Sequence, residues 1–261
     1  FKYDAKLNVN WSRNRILKID ESPNIPDYLK QTGRRIGEKH GLVALGLFQT
    51  DEDARFYPTV AANAKAGDIR YQDLNGDGKI NYDQDRTWIG KSNIPELMFG
   101  LNLNASWKNF DFSALVQGAA IADLALMGWY DGVGYDNTEF TRSFYSGGNS
   151  PVYLIDGSWT PDNLDARYPR LSTVSRPNNN WSSTFWIVDA SYVRLKNIQL
   201  GYTLPQSLLQ RVGVDALRLY VGGTNLFTMS QFKYLDPEAP DVNNGYYPQQ
   251  KTFTFGLNLT L

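Results

Sequence analysis

Apolar and polar side chains alternate strictly, position by position, over several runs of about ten residues, and few folds can accommodate that pattern. In the last run Phe253, Phe255, Leu257, Leu259 and Leu261 fall on one face, and Thr252, Thr254, Gly256, Asn258 and Thr260 on the other. The first run sets Tyr3, Ala5, Leu7, Val9 and Trp11 against Asp4, Lys6, Asn8, Asn10 and Ser12. A third carries Leu97, Phe99, Leu101, Leu103, Ala105 and Trp107 opposite Asn102, Asn104 and Ser106, and its neighbour carries Phe110, Phe112, Ala114 and Val116 opposite Asp111, Ser113 and Gln117. Two further runs are less regular. Val188, Ala190, Tyr192, Ile198, Leu200 and Tyr202 stay in phase, but Arg194 and Lys196 interrupt their face; Leu217, Leu219 and Val221 lead into Gly222-Gly223. The pattern predicts six strands, over about 2–18, 95–107, 109–121, 186–204, 215–229 and 250–261.

The connections between them alternate in length. They run long (about 20–93), very short (Trp107-Lys108-Asn109), long (about 122–185), short (about 205–214) and intermediate (about 230–249). Transmembrane barrels have this asymmetry, with tight turns at one rim and large loops at the other. The last strand then ends at the short-turn rim, where a barrel's C-terminus belongs. A soluble β-sandwich alternates apolar and polar residues equally well, but nothing in its physics collects the long loops at one end.

Composition narrows the classes further. A net charge of −1 leaves no electrostatic footprint for nucleic acid. The absence of cysteine removes disulfide and thiolate chemistry. No apolar run approaches the ~18 residues of a spanning helix, whereas a spanning strand needs only about ten alternating residues. Aromatic residues make up 14% of the chain, and Trp107, Phe110 and Tyr202 sit beside the short turns, where an interfacial girdle is expected.

Six strands cannot close a membrane barrel, which needs at least about eight, because an open edge in lipid leaves backbone donors and acceptors unpaired. Phe1-Lys2-Tyr3-Asp4 already alternate as in mid-strand, with no signal peptide before them. The expectation is a portion of a larger barrel, with its first strands and any plug domain outside this sequence.

Several runs resemble the C-terminal quarter of the SusC/RagA-type TonB-dependent transporters. They are Gly67-Asp68-Ile69-Arg70-Tyr71-Gln72-Asp73-Leu74-Asn75-Gly76-Asp77-Gly78-Lys79-Ile80, then Asp85-Arg86-Thr87-Trp88-Ile89-Gly90, and Trp107 through Ser113 with Gln117-Gly118. Asp189 through Tyr202 is the most distinctive, and Gly223 through Thr228 and Gly256 through Thr260 complete the order. The resemblance implies an all-β fold, the C-terminal six-strand part of an antiparallel transmembrane barrel of about 22 strands with an N-terminal plug. It further implies location in the outer membrane, energy from the TonB complex, a SusD-like surface lipoprotein over the barrel, and import of glycans or peptides. Barrels of this kind commonly end in an aromatic residue, whereas this chain ends in Leu261.

Three sets of residues invite a site. Asp73-x-Asn75-x-Asp77-Gly78-x-Ile80 matches the first half of an EF-hand-like loop, with Lys79 offering its carbonyl to Ca2+. Position twelve is Gln84, an uncharged ligand flanked by Asp83 and Asp85, and a one-residue insertion would let Asp85 close the site; the alternative is a metal-free Asx turn. Trp129, Tyr130, Tyr135, Trp159 and Trp181, among Asn and Asp neighbours, offer flat faces suited to sugar rings or peptides, or else pack the loop interior. His40, the sole histidine, has no Ser-containing elbow beside it in sequence, and no spacing singles out a carboxylate pair, so the chain reads as non-enzymatic. Two other readings fit the residues: a secreted calcium-dependent carbohydrate-binding sandwich, and a non-transporting surface receptor on the same barrel.

Overall fold

The computed structural model describes residues 1–126, 152–172, 177–210, 213–231, 236–238 and 249–261. Strand β1 (Lys2–Trp11) leads into a first excursion holding β2 (Lys39–Leu42), β3 (Ala44–Leu47), α1 (Asp51–Phe56), β4 (Ile69–Tyr71), α2 (Tyr82–Asp85) and β5 (Arg86–Gly90). The hairpin β6 (Leu97–Trp107) and β7 (Phe110–Ala120) precedes a second excursion with β8 (Asp123–Ala125), α3 (Val152–Asp156) and β9 (Ile187–Asp189). Strand β10 (Tyr192–Thr203), helix α4 (Gln206–Leu209), β11 (Ala216–Ser230) and β12 (Thr252–Thr260) finish the chain.

The long strands form one antiparallel six-stranded sheet in the order β1-β6-β7-β10-β11-β12. Its register turns the alternation into two faces. Tyr3, Ala105, Phe112, Leu200, Val221 and Phe255 are successive partners across all six strands, and every one is apolar. One residue along lie Asp4, Asn104, Ser113, Gln199, Gly222 and Thr254, none of them a large apolar residue. A slip of one residue anywhere would mix the rows, so the pattern itself fixes the register. The apolar face stays exposed even on interior strands, with Leu200 at 46%, Val221 at 40% and Phe227 at 59%. The hairpin closes through Lys108 and Asn109, with Lys108 left-handed at φ 54°, and Asn109 is tied to the carbonyl of Thr203 at 2.8 Å.

Two boundaries differ from expectation. The strand predicted over 2–18 ends at Trp11. Beyond it the backbone bonds with its own excursion, Ile16 N–H to Arg34 O and Gly33 N–H to Ile16 O, each at 2.8 Å. The strand predicted over 186–204 is two strands. Ala190 donates to Ala122 O and Ser191 to the Asp189 carboxylate, which turns the chain, so β9 pairs with β8 in a separate sheet. Within β10 the register slips at Lys196 against both neighbours. Arg194 and Lys196 therefore do not interrupt the apolar face. The bulge exchanges the faces, so Val193 and Leu195 join the apolar row while Tyr192 and Arg194 join the polar one.

The buried core lies outside the large sheet. Leu42, Ile69, Tyr71 and Ile80 of the first excursion pack with Leu126, Leu154, Tyr168 and Trp186 of the second. Backbone bonds stitch the two: Leu42 N–H to Ser182 O at 2.8 Å and Arg170 N–H to Gly67 O at 3.0 Å. Gly41 lies so close to Ser182 O that a Cβ there would stand 2.2 Å from it. Buried Asp68 accepts a two-pronged pair from Arg170 (2.9 and 3.2 Å) and a third bond from Asn179 at 3.0 Å, while Asn179 also accepts from Ile69 N–H. The two long connections thus fold as one layer.

Candidate functional site

The polar face of the sheet carries a buried network of charge. The bulge at Lys196 sets Arg194, 3% exposed, on that face. Its Nη2 meets Asp236 at 2.6 Å, its Nη1 lies 3.1 Å from Glu238, and its Nε donates to Thr228 Oγ1 at 2.9 Å. Lys196 Nζ donates to Glu238 at 3.0 Å, and Glu238 N–H donates back to Asp236 at 3.0 Å. Residues 236–238 follow β11, so these pairs hold part of the last connection against the wall. A buried cation left without its partner is costly, which makes the arrangement interdependent.

A second pair lies toward the short-turn rim. Arg218 on β11 crosses the strand between to reach Asp111 on β7, with Nε to Oδ2 at 2.9 Å, and also contacts Gln199 at 3.2 Å. It can do so because position 201 is glycine: a Cβ there would stand 2.4 Å from both the guanidinium and the carboxylate. The rest of the face carries Asn102, Asn104, Ser113, Asn197, Thr224 and Asn258. Such a surface suits water and weakly held polar solutes.

The proposed calcium residues take separate positions. Asp73 accepts amides of Gly76 (2.7 Å) and Gly78 (2.8 Å), Asn75 accepts from Asp77 (2.9 Å), and Asp77 from Lys79 (2.9 Å). Burial pushes the Asp73 carboxyl upward, but the amides of Gly78, Gly76 and Asp77 outweigh it and hold it below the usual range. Gly76 and Gly78, at φ 75° and 77°, permit the turn. Asp85 is buried and caps Leu74 and Asn81 amides at 2.9 and 2.7 Å; Asp83 is exposed and lies 3.8 Å from Arg86. Among the described residues no three carboxylate or imidazole groups converge as a finished cation cage.

Of the loop aromatics, Trp129, Tyr130 and Tyr135 lie outside the described residues. Trp159 is half-buried over Gly67 and donates to Gln49 at 3.2 Å. Trp181 stacks on Tyr82 at 4.8 Å against the loop core. Both join the two excursions. His40 packs on Trp88 at 4.7 Å, and burial, then the charges of Arg86 and Arg34, push its pKa down to about 4.

No family model matches the chain. Curated relatives do. It is 30% identical to TonB-dependent receptor P26 of Formosa agariphila, over 100% of this chain and 27% of that receptor. It is 28% identical to TonB-dependent receptor P3 of the same organism, over 99% and 27%. To TonB-dependent receptor SusC of Bacteroides thetaiotaomicron it is 27% identical, over 99% and 24%. The chain belongs with the SusC/RagA-type TonB-dependent receptors. It spans about a quarter of the length of these relatives. Its fold agrees: the RagAB peptide transporter superposes with a TM-score of 0.67 at 24% identity, covering 98% of this chain and 26% of that one. The RagAB peptide importer in its closed-closed state gives 0.65 at 24%, covering 98% and 27%. The six-stranded sheet is part of a β-barrel. The names are of receptors and importers, in line with the non-enzymatic reading.

Within this SusC/RagA-type chain, the Arg194–Asp236–Glu238–Lys196 network escaped sequence reasoning. Its signal was present. The break in alternation at Arg194 and Lys196 marks the bulge that aims both cations at the polar face.

Proposed function

We propose that this chain forms part of the wall and outer loops of an outer-membrane barrel that imports a large nutrient, glycan or peptide, with energy from TonB and a SusD-like lipoprotein at its mouth. The observation that carries the reading is the pair of rows through six strands. One row is apolar and uncovered, as a lipid-facing surface must be, and the next is polar, as a wet lumen requires. The edges β1 and β12 would pair with polypeptide from the remainder of the longer receptor. The names of the relatives support import, and the RagAB likeness favours peptides as the first substrates to try.

The test is made on the full-length receptor. Outer-membrane fractions should contain a band whose gel migration changes on boiling, and deleting the gene should abolish growth on either a peptide mixture or an oligosaccharide supplied as sole nutrient. A receptor fully soluble without detergent would overturn the membrane reading, and undiminished growth on both nutrients would overturn import.

We further propose that the loop from Asp73 to Lys79 takes a calcium ion in a structural role. The donors are all oxygen, as a hard cation prefers, and Asp73 and Asp77 keep lone pairs beyond those given to amides. Asp83 points to Arg86, so the first half of the motif would carry the ion. Calcium should protect this loop from protease in the full-length receptor, and Asp73→Ala should abolish the protection; equal cleavage with and without calcium would refute it.

A further inference from the structure

A cleft of about 570 Å3 opens where the chain leaves β1, lined by Arg13, Arg15, Lys30, Arg34 and Arg35. Against these five cations stand four carboxylates: Asp27 and Glu38 in the lining, Glu96, which Arg13 and Arg35 share, and Glu21, which accepts from Thr32 of the lining at 2.6 Å and acts on Lys30. Arg34 and Arg35 are tied to Glu38 at 3.9 and 3.4 Å, and Lys30 to Asp27 at 2.6 Å. Arg15 has no carboxylate partner among the described residues. Its Nε donates to the Gly33 carbonyl at 3.2 Å, which fixes the guanidinium and leaves its outer nitrogens to a ligand. The cleft therefore has a surplus of positive charge and a pre-positioned arginine fork, the chemistry that recognises phosphate.

Its position says which phosphate. Arg13 stacks over Trp11 at 5.3 Å, and Trp11 closes the outward apolar face of β1. At no more than ~3.3 Å per residue along a strand tilted by about 45°, Arg13 and Arg15 stand at most ~5 and ~9 Å past that tryptophan along the membrane normal, within and at the outer edge of the ~5–8 Å headgroup layer. Leu17 and Ile36 flank the cleft at 85% and 62% exposure, and Ile36 N–H is bound to Asn14 of the lining at 2.7 Å. Apolar side chains exposed beside a basic cleft suit an amphiphile better than a soluble ion.

We propose that this cleft binds the phosphate of a lipid headgroup in the leaflet around the outer rim, with Arg15 as its principal cation and Lys30, shared with Asp27, adding charge beside it. The inference rests on the membrane-barrel reading above. The full-length receptor, extracted from outer membranes in a neutral detergent, would be titrated by native mass spectrometry with dihexanoyl phosphatidic acid and, separately, with inorganic phosphate. The lipid should bind at least about tenfold more tightly than phosphate, and Arg15→Gln with Lys30→Gln should weaken it by about tenfold or more. Arg15→Lys, which keeps the charge but loses the fork, should fall between. Heat-modifiable migration is scored on every variant, so a receptor that never enters the membrane is distinguished from an inserted one with a defective cleft. Unchanged lipid affinity in the inserted double variant would overturn the proposal. Lipid and inorganic phosphate binding equally would also overturn it, in favour of a plain anion site.

Discussion

In the six-stranded sheet Leu7 and Phe255 are 64% and 80% exposed, whereas in the loop layer Trp186 and Tyr71 are each 1% exposed. Both regions are rich in apolar residues, yet only the loop layer hides them within the described residues. On the membrane reading proposed above, the sheet arranges its apolar residues for a solvent other than water. The loop layer builds a core from both of its excursions, as a small soluble domain would. The contrast extends to charge. The sheet gathers its ion pairs on the polar face, around Arg194 and Arg218, while the loop layer uses Asp68 and Arg170 as an internal clasp between excursions.

Four measurements can break or sharpen this contrast, all on the full-length receptor. The largest effect is expected from Trp186→Ala, which removes the largest buried side chain of the loop core and should cost the layer ~3–5 kcal/mol. Surface protease should then cut the excursions while heat-modifiable migration persists; loss of both together would show that the layers do not fold separately. Leu101→Arg comes next. This residue lies mid-strand on the outward face, between Leu7 and Val116, and a charge there should cost ~2–4 kcal/mol in lipid. An unaltered unfolding temperature of the folded band would mean that water, not lipid, meets that face.

Gly201→Ala should cost ~1–3 kcal/mol, because the added carbon enters the space between Arg218 and Asp111. The loss should be much smaller in an Asp111→Asn, Arg218→Gln background, and equal losses in both backgrounds would refute the clasp. The smallest effect concerns pH. His40 has a folded-state pKa of about 4, below the ~6.5 of an unfolded histidine, so the unfolded chain takes up the proton first. The stability that neutral His40 contributes is complete above about pH 6.5 and declines as the pH falls toward 4. Amide exchange in β2 and β5 should quicken over that window, and His40→Phe should flatten the response.

The strands of the sheet were legible because each is long enough for a two-residue period to declare itself. Their ends were less so. Residues 12–18 continue an extended pattern, but Ile16 bonds with Arg34 and Gly33 instead of β6. The loop layer left almost no periodic trace. Its strands run three to five residues, as Ile69–Tyr71 and Ile187–Asp189 do, too short for alternation to be distinguished from chance. Its core pairs Leu42 with Trp186 across more than a hundred residues, which no local pattern announces. The acidic turn at Asp73 was visible from its spacing, whereas the roles of Trp159 and Trp181 were not, because aromatic residues among amides look alike whether they face a ligand or a loop.

By itself the sequence determined which side chains share a face in the unbulged strands and which ends of the strands carry the long connections, since both follow from a period of two and from counting residues. Tertiary structure decided the rest: that a bulge at Lys196 turns Arg194 toward the polar wall, that two excursions close over one core, and that five cations meet beside Trp11. Each of these depends on contacts between residues far apart in the chain, whose free energy arises only once the backbone has brought them together.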